Sequence, residues 1–133
     1  MIVATAWAHP NIALVKYWGK ADVVENLPAT GSLSMTLDIF PTTTTVRVDP
    51  SASADVVTLN GEVQTGVSRE RVARLLDHVR AHYGVTGHAH VDSVNTVPSA
   101  AGLASSAAGF AALAGAAAAA YDLDLDERGL SRL

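Results

Sequence analysis

PSAAGLASSAAG, from Pro98 to Gly109, decides how this chain folds. Its twelve residues are Gly, Ala, Ser, one Leu and one Pro, with no charge and little bulk. A strand-like run, His90-Val91-Asp92-Ser93-Val94, precedes it, and an apolar, alanine-rich helix follows. A small-residue loop that opens onto a helix N-terminus is one way to hold phosphate. Gly lets the backbone approach the anion, free N–H groups point at it, and the helix dipole favours negative charge. The hydroxyls of Ser99, Ser105 and Ser106 add donors, or a ligand for a phosphate-bound metal. No Gly-Lys-Ser/Thr closes the loop, so it is not a Walker A element. A tight turn into a core helix would use the same residues, and the loop by itself leaves both readings open.

Working outward, no charged residue lies between Asp92 and Asp122. That interval is long enough to raise a membrane span. Its first half is too polar, with Asn95, Thr96, Ser99, Ser105 and Ser106, and its second half is mostly Ala and Gly, which drive insertion weakly. A buried helix of a soluble domain, Leu103 to Tyr121, is therefore expected, with Gly102, Gly109 and Gly115 allowing close packing against a sheet or a bound nucleotide. Upstream, Ile2–Ala8, Ile12–Trp18, Leu33–Phe40, Thr42–Val48 and His88–Val97 read as strands, with the Thr42 run antiparallel to the Leu33 run. Asn60-Gly61 between Val56–Leu59 and Val63 is a strong hairpin signal. Ser68 is expected to cap a helix whose apolar face is Val72, Leu75, Leu76 and Val79, ending near Gly84. A further helix starts at Asp126. With no C-cap before Leu133 and an apolar face of Leu130 and Leu133, the chain is expected to be an N-terminal piece of something longer.

The 133 residues bound one domain with room for a core. A net charge of −4 argues against a general binder of nucleic acid or anionic membrane. The chain has no Cys, so disulfides and thiolate metal sites are excluded. No basic region followed by a long apolar segment opens the chain, so no signal peptide is read.

A second dense segment runs AHPNIALVKYWGK from Ala8 to Lys20. Lys16 and Lys20 are the chain's two lysines, against seven arginines. Two compact ammonium groups beside Tyr17 and Trp18 suit phosphate, and Tyr17 and Asn11 offer further polar contacts. The alternative is a solvated strand end with a Trp anchoring the core. His9 is a candidate general base or a structural residue. His88/His90 and His78/His82 have metal-compatible spacing, but without a third ligand each pair reads as a solvent-facing strand or helix face. Asp122 to Glu127 reads as a solvated connection and cap.

With both segments in hand, the chain resembles the diphosphomevalonate decarboxylases of the GHMP kinase superfamily. AHPNIALVKYWGK at 8–20, NLPATGSLSMTL at 26–37, LNGE at 59–62 and NTVPSAAGLASSAAGFAALA at 95–114 fall in the family's order. The resemblance implies an α+β fold of the GHMP kinase N-terminal type, ribosomal protein S5 domain 2-like. That fold is a mixed sheet with helices on one face, forming a single ATP-binding domain over 1–133. It implies ATP-dependent phosphorylation of the 3-hydroxyl of mevalonate 5-diphosphate, then loss of phosphate and CO2 to give isopentenyl diphosphate. Carried over by position, Asn11, Lys16, Tyr17 and Lys20 bind substrate, with Tyr17 and Lys20 at the diphosphate. Asn95, Pro98, Ser99, Ala100, Ala101, Gly102, Leu103, Ala104, Ser105 and Ser106 bind ATP, and Ser105 or Ser106 is the candidate Mg²⁺ ligand.

The resemblance also implies a cytoplasmic enzyme, without nucleic-acid or membrane partners, whose full-length form is a homodimer. Self-association, or a partner on the Leu130/Leu133 face, is the corresponding expectation here. Ala21 departs from the family's Arg, and Ser99 from its common Thr. The family's catalytic Asp and Arg fall beyond Leu133, so no catalytic residue is assigned and the chain alone is expected to be inactive or very weak. The alternatives are a GHMP-type mevalonate 3-kinase that does not decarboxylate, and a non-catalytic nucleotide-binding or interaction fragment.

Overall fold

Thr42-Thr43-Thr44-Thr45-Val46-Arg47-Val48-Asp49 alternates between buried and open positions, and the sheet is organised by that alternation. The computed structural model describes residues 2–24, 26–97 and 105–133, with Ser105 described by its backbone alone. Among them, β6 (Thr42–Asp49) pairs antiparallel with β1 (Ile2–Ala8) on one side and β9 (His88–Asn95) on the other. β7 (Val56–Leu59) lies parallel to β9 and carries β8 (Glu62–Val63) at the edge. The order is β1-β6-β9-β7-β8, a mixed sheet. A parallel pair needs a crossover, and α1 (Gly66–Tyr83) supplies it between β8 and β9.

The Asn60-Gly61 turn forms as expected, with both residues at positive φ, 51° and 83°. This is the backbone that a tight hairpin between right-twisted strands requires. α1 is capped three residues before the expected Ser68, at Thr65, with no side-chain cap. Ser68 lies inside the first turn instead. Gly84 ends α1 in the left-handed conformation at φ 67°, where Gly carries no Cβ penalty.

α1 and α2 (Ser105–Ala120) cover one face of the sheet. Val46, Val48, Val57, Val91, Leu76 and Leu113 meet in a single core. Leu76, Val46 and Val79 have no exposed surface, and each such side chain contributes roughly 1.5–3 kcal/mol by burial. The small residues of α2 bring it close to β1: a Cβ added at Gly115 would lie 3.3 Å from Ala6 Cβ. Of the two expected partners for Gly109, the sheet does not pack closely on it, with nothing within 4 Å of such a Cβ.

Residues 33–40 depart from the expected pairing. β5 (Leu33–Thr36) pairs with β2 (Asn11–Val15), not with β6. The strand ends at Thr36, and Phe40 sits at φ 56°, so the chain turns before Pro41 and enters the large sheet separately. β2 stops at Val15, short of the expected Trp18. A third small ribbon joins β3 (Lys20–Asp22) to β4 (Leu27–Pro28). Near the C-terminus α3 (Glu127–Leu130) is a single turn, capped by Asp126 accepting from the Gly129 N–H at 2.7 Å. Of the two leucines expected to form an apolar face there, Leu133 is half-buried against the core.

Candidate functional site

β9 delivers the chain to residue 98 through a tightly held end. The Asn95 side-chain oxygen accepts from Thr42 Oγ1 at 3.1 Å and from the Val97 N–H at 3.2 Å. The Asn95 N–H donates to Asn60 Oδ1 at 2.8 Å, and Thr96 Oγ1 donates to the Pro41 carbonyl at 2.8 Å. Val97 is buried. Asn95 thus has a structural duty at the mouth of the loop. Pro98, Ser99, Ala100, Ala101, Gly102, Leu103 and Ala104 lie outside the described residues, as does the side chain of Ser105.

Beyond the loop, Ser106 and Gly109 on the first turns of α2 line a cavity of about 250 Å³ between the sheet and the two helices. Its walls are largely apolar, including Val57, Leu59, Val91 and Phe110. The open space beside Gly109 belongs to it. Among the described residues the lining contains one charged side chain, Arg71, and no carboxylate. A mostly apolar pocket with a few placed polar groups is the usual form of a small-molecule site.

Asn11, Lys16, Tyr17 and Lys20 do not line this cavity. They lie along β2, the following turn and β3, and all four are exposed. Asn11 Nδ2 donates to Ser34 Oγ at 3.0 Å, while its oxygen accepts from Thr36 Oγ1 at 3.4 Å, which fixes Asn11 to β5. Lys16 Nζ sits 4.3 Å from the centre of the Trp18 ring, a cation–π contact. Tyr17 folds back over Gly19, where any Cβ would overlap its ring. Trp18 is 80 % exposed and anchors no core.

The histidines separate. His78 and His82 stack on the exposed side of α1, ring centres 5.6 Å apart. His90 is exposed, but His88 is half-buried beside Asp55, contrary to the expected solvent-facing pair. Among the described residues no three His, Cys, Asp or Glu groups gather for a metal.

One cluster had no counterpart in the sequence pattern. Asp55, in the β6–β7 connection, accepts Arg80 Nη2 at 2.8 Å, Arg80 Nη1 at 3.1 Å and the Ala89 N–H at 2.8 Å. Arg80 also reaches Asp77 and Tyr121 Oη, and Tyr121 donates to the Gly87 carbonyl. Burial opposes ionisation of Asp55, but hydrogen bonds from Arg80 and Ala89 outweigh it and hold its pKa below the ordinary value. Burial raises that of Tyr121. Positions 55, 80 and 121 share no spacing that could have signalled this contact. It ties α1 to the ends of the sheet and of α2 and touches neither candidate site.

The mixed sheet, its alanine-rich helix and the cavity at that helix's start form the GHMP kinase N-terminal fold. The chain belongs to the diphosphomevalonate decarboxylase-like N-terminal domain family, whose model matches residues 8–133. It is 41% identical to the diphosphomevalonate decarboxylase of Ganoderma lucidum, over 98% of this chain and 36% of the relative. It is 42% identical to the phosphomevalonate decarboxylase of Haloferax volcanii, over 92% and 38%. The mevalonate diphosphate decarboxylase structure from Staphylococcus aureus superposes with a TM-score of 0.92 at 43% identity, over 98% of this chain and 39% of that one. A second solved structure, in complex with MVAPP, AMPPCP and magnesium, superposes at 0.90 with 48% identity, over 98% and 41%. The chain thus spans about two fifths of the length of these relatives.

Proposed function

We propose that this chain is the ATP-binding domain of a cytoplasmic diphosphomevalonate decarboxylase, spanning residues 1–133 and working within a longer, homodimeric protein. The cavity beside the start of α2 carries the reading: it is largely apolar, its described lining has Arg71 as the one cation and no carboxylate, and it includes Ser106 and Gly109 of the small-residue segment. That chemistry suits the base and sugar of a nucleotide whose phosphates lie along residues 98–106. The complex of a solved relative with MVAPP, AMPPCP and magnesium supports the same assignment.

In this reading Lys16, Tyr17 and Lys20 meet the diphosphate of mevalonate 5-diphosphate, and Asn11 orients the reacting end. Phosphorylation turns the poor 3-hydroxyl leaving group into a good one, so binding and charge neutralisation are what the protein must supply. Magnesium supplies charge neutralisation across the phosphates when bound. The first turn of α2 has no acidic residue, so the ion would rest on phosphate oxygens and a hydroxyl of Ser105 or Ser106. The catalytic Asp and Arg of the family would come from outside these residues, and the chain alone is expected to release little or no product. Among the described residues no helix is long and apolar enough to cross a membrane.

Calorimetric titration tests the assignment. Mg·ATP is expected to bind the unaltered chain, and Lys20→Ala to weaken mevalonate 5-diphosphate without weakening ATP. Absence of ATP binding overturns the reading. Turnover by the chain alone at the rate of a full-length relative overturns its predicted incompleteness. The Haloferax relative favours a second reading, in which the substrate carries one phosphate. Tighter binding of mevalonate 5-phosphate than of the 5-diphosphate would select it. ADP released without CO2 by a protein carrying the full family length would select the 3-kinase.

A further inference from the structure

α1 carries four arginines, and two of them have structural duties. Arg69 donates to the Asp55 carbonyl, and Arg80 pairs with Asp55 and Asp77. Arg74 is exposed and does not line the cavity. Arg71 does line it, and among the described residues it makes no ion pair. Its guanidinium carbon instead lies 5.1 Å from the centre of the Phe110 ring, across the gap between α1 and α2. Phe110 lines the cavity as well. A guanidinium is planar with two faces, and it stacks on aromatic rings as readily as it pairs with anions. Arg71 thus has the Phe110 ring beside its guanidinium and also borders the cavity, where a second flat group has room to meet it.

We propose that Arg71, backed by Phe110, is a base-stacking clamp for the nucleotide in this cavity. This rests on the nucleotide reading above and adds the residue that grips the base. Among the described residues the lining offers apolar walls and no carboxylate to compete for the guanidinium. Stacking, unlike a phosphate contact, needs the planar group and not merely its charge.

The test compares binding of Mg·ATP, adenosine and inorganic tripolyphosphate by calorimetry, for the unaltered chain, Arg71→Lys, Arg71→Ala and Phe110→Leu. Arg71→Ala is expected to weaken ATP and adenosine alike, about 10-fold, and to leave tripolyphosphate unchanged. Arg71→Lys keeps the charge and loses the plane, so it is expected to behave like Arg71→Ala toward adenosine. Phe110→Leu keeps an apolar wall and is expected to weaken adenosine less than either. Circular dichroism checks the fold, and exposed Arg71→Lys is the variant expected to keep it fully. Full affinity in Arg71→Lys, or a loss confined to tripolyphosphate, makes Arg71 a phosphate contact and overturns the clamp. Unchanged ATP affinity in Arg71→Ala overturns it too, with the nucleotide reading intact. If the unaltered chain binds no ATP, both fall.

Discussion

Residues 42–95 with α2 and residues 11–36 are held in opposite ways. In the first region strands alternate buried and open positions, and two helices close over the buried face. In the second no described residue is buried, and Leu14, Val15, Trp18, Val24 and Leu33 are all more than half exposed. What keeps 11–36 in place is main-chain pairing in two short ribbons, with links such as Leu37 N–H to the Pro10 carbonyl at 2.9 Å. Isolated two-stranded ribbons are marginal in water. The difference separates labour: the core region carries the stability, while the second displays Asn11, Lys16, Tyr17 and Lys20 without investing them in packing.

The comparison breaks most directly on a pair of leucines. Leu76 is wholly buried in α1, and Leu14 is 60 % exposed in β2. Leu76→Ala is expected to lose about 3–5 kcal/mol of unfolding free energy, through lost transfer and the cavity left behind. Leu14→Ala is expected to stay within about 0.5 kcal/mol. Urea unfolding followed by circular dichroism measures both. Equal losses would mean that residues 11–36 belong to the same cooperative core.

A smaller effect is expected at Asp55, which sharpens the account of what closes the core region. Asp55→Asn removes the charge that Arg80 meets and is expected to cost about 2 kcal/mol near neutral pH. The sign with pH follows from its lowered folded-state pKa. The folded form favours the carboxylate, so its contribution is present above the ordinary carboxylate range, near pH 4. It is lost as pH falls through the depressed value. Unfolding free energy measured from pH 7 down to pH 2 should therefore have a shallower acid limb in Asp55→Asn. An unchanged acid limb would place the acid sensitivity on other carboxylates.

How much of this was legible follows from where each signal originates. The Thr42 alternation, the Asn60-Gly61 turn and the Gly84 stop are local, and the fold obeys them. The pairing of β5 with β2 is not local. Leu33 to Ile39 alternates whichever neighbour it takes, and the bend at Phe40 that sends it away from β6 has no marker but Pro41. Thr65 stands at the start of α1 in place of Ser68, and Gly66, at φ 57°, supplies the left-handed turn by which the chain enters the helix there. The cavity was half legible: Ser106 and Gly109 came from the small-residue segment. Arg71 and Phe110 needed two helices to be placed side by side, and the contact of Asp55 with Arg80 needed α1 to be placed against the β6–β7 connection.

The smallest expected change in stability falls at Gly19, where the two regions' logics can be told apart within one residue. A Cβ there would overlap the Tyr17 ring, yet Tyr17 is 64 % exposed and its ring can swing outward. Gly19→Ala is therefore expected to leave the unfolding free energy within about 0.5 kcal/mol, because no packed neighbour is disturbed. It should nevertheless displace the Tyr17 hydroxyl, visible as shifted ring resonances. If Tyr17 meets the substrate diphosphate, the cost of losing one hydrogen bond to a charged group is roughly 1.5–3 kcal/mol of binding. That corresponds to about 10- to 100-fold weaker mevalonate 5-diphosphate in a calorimetric titration. Tyr17→Phe, which keeps the ring and drops only the hydroxyl, should match the binding loss without shifting the backbone. A loss of stability in Gly19→Ala as large as that of Leu76→Ala would show that the Lys16–Lys20 turn is packed structure, and would remove the reason to separate the two regions.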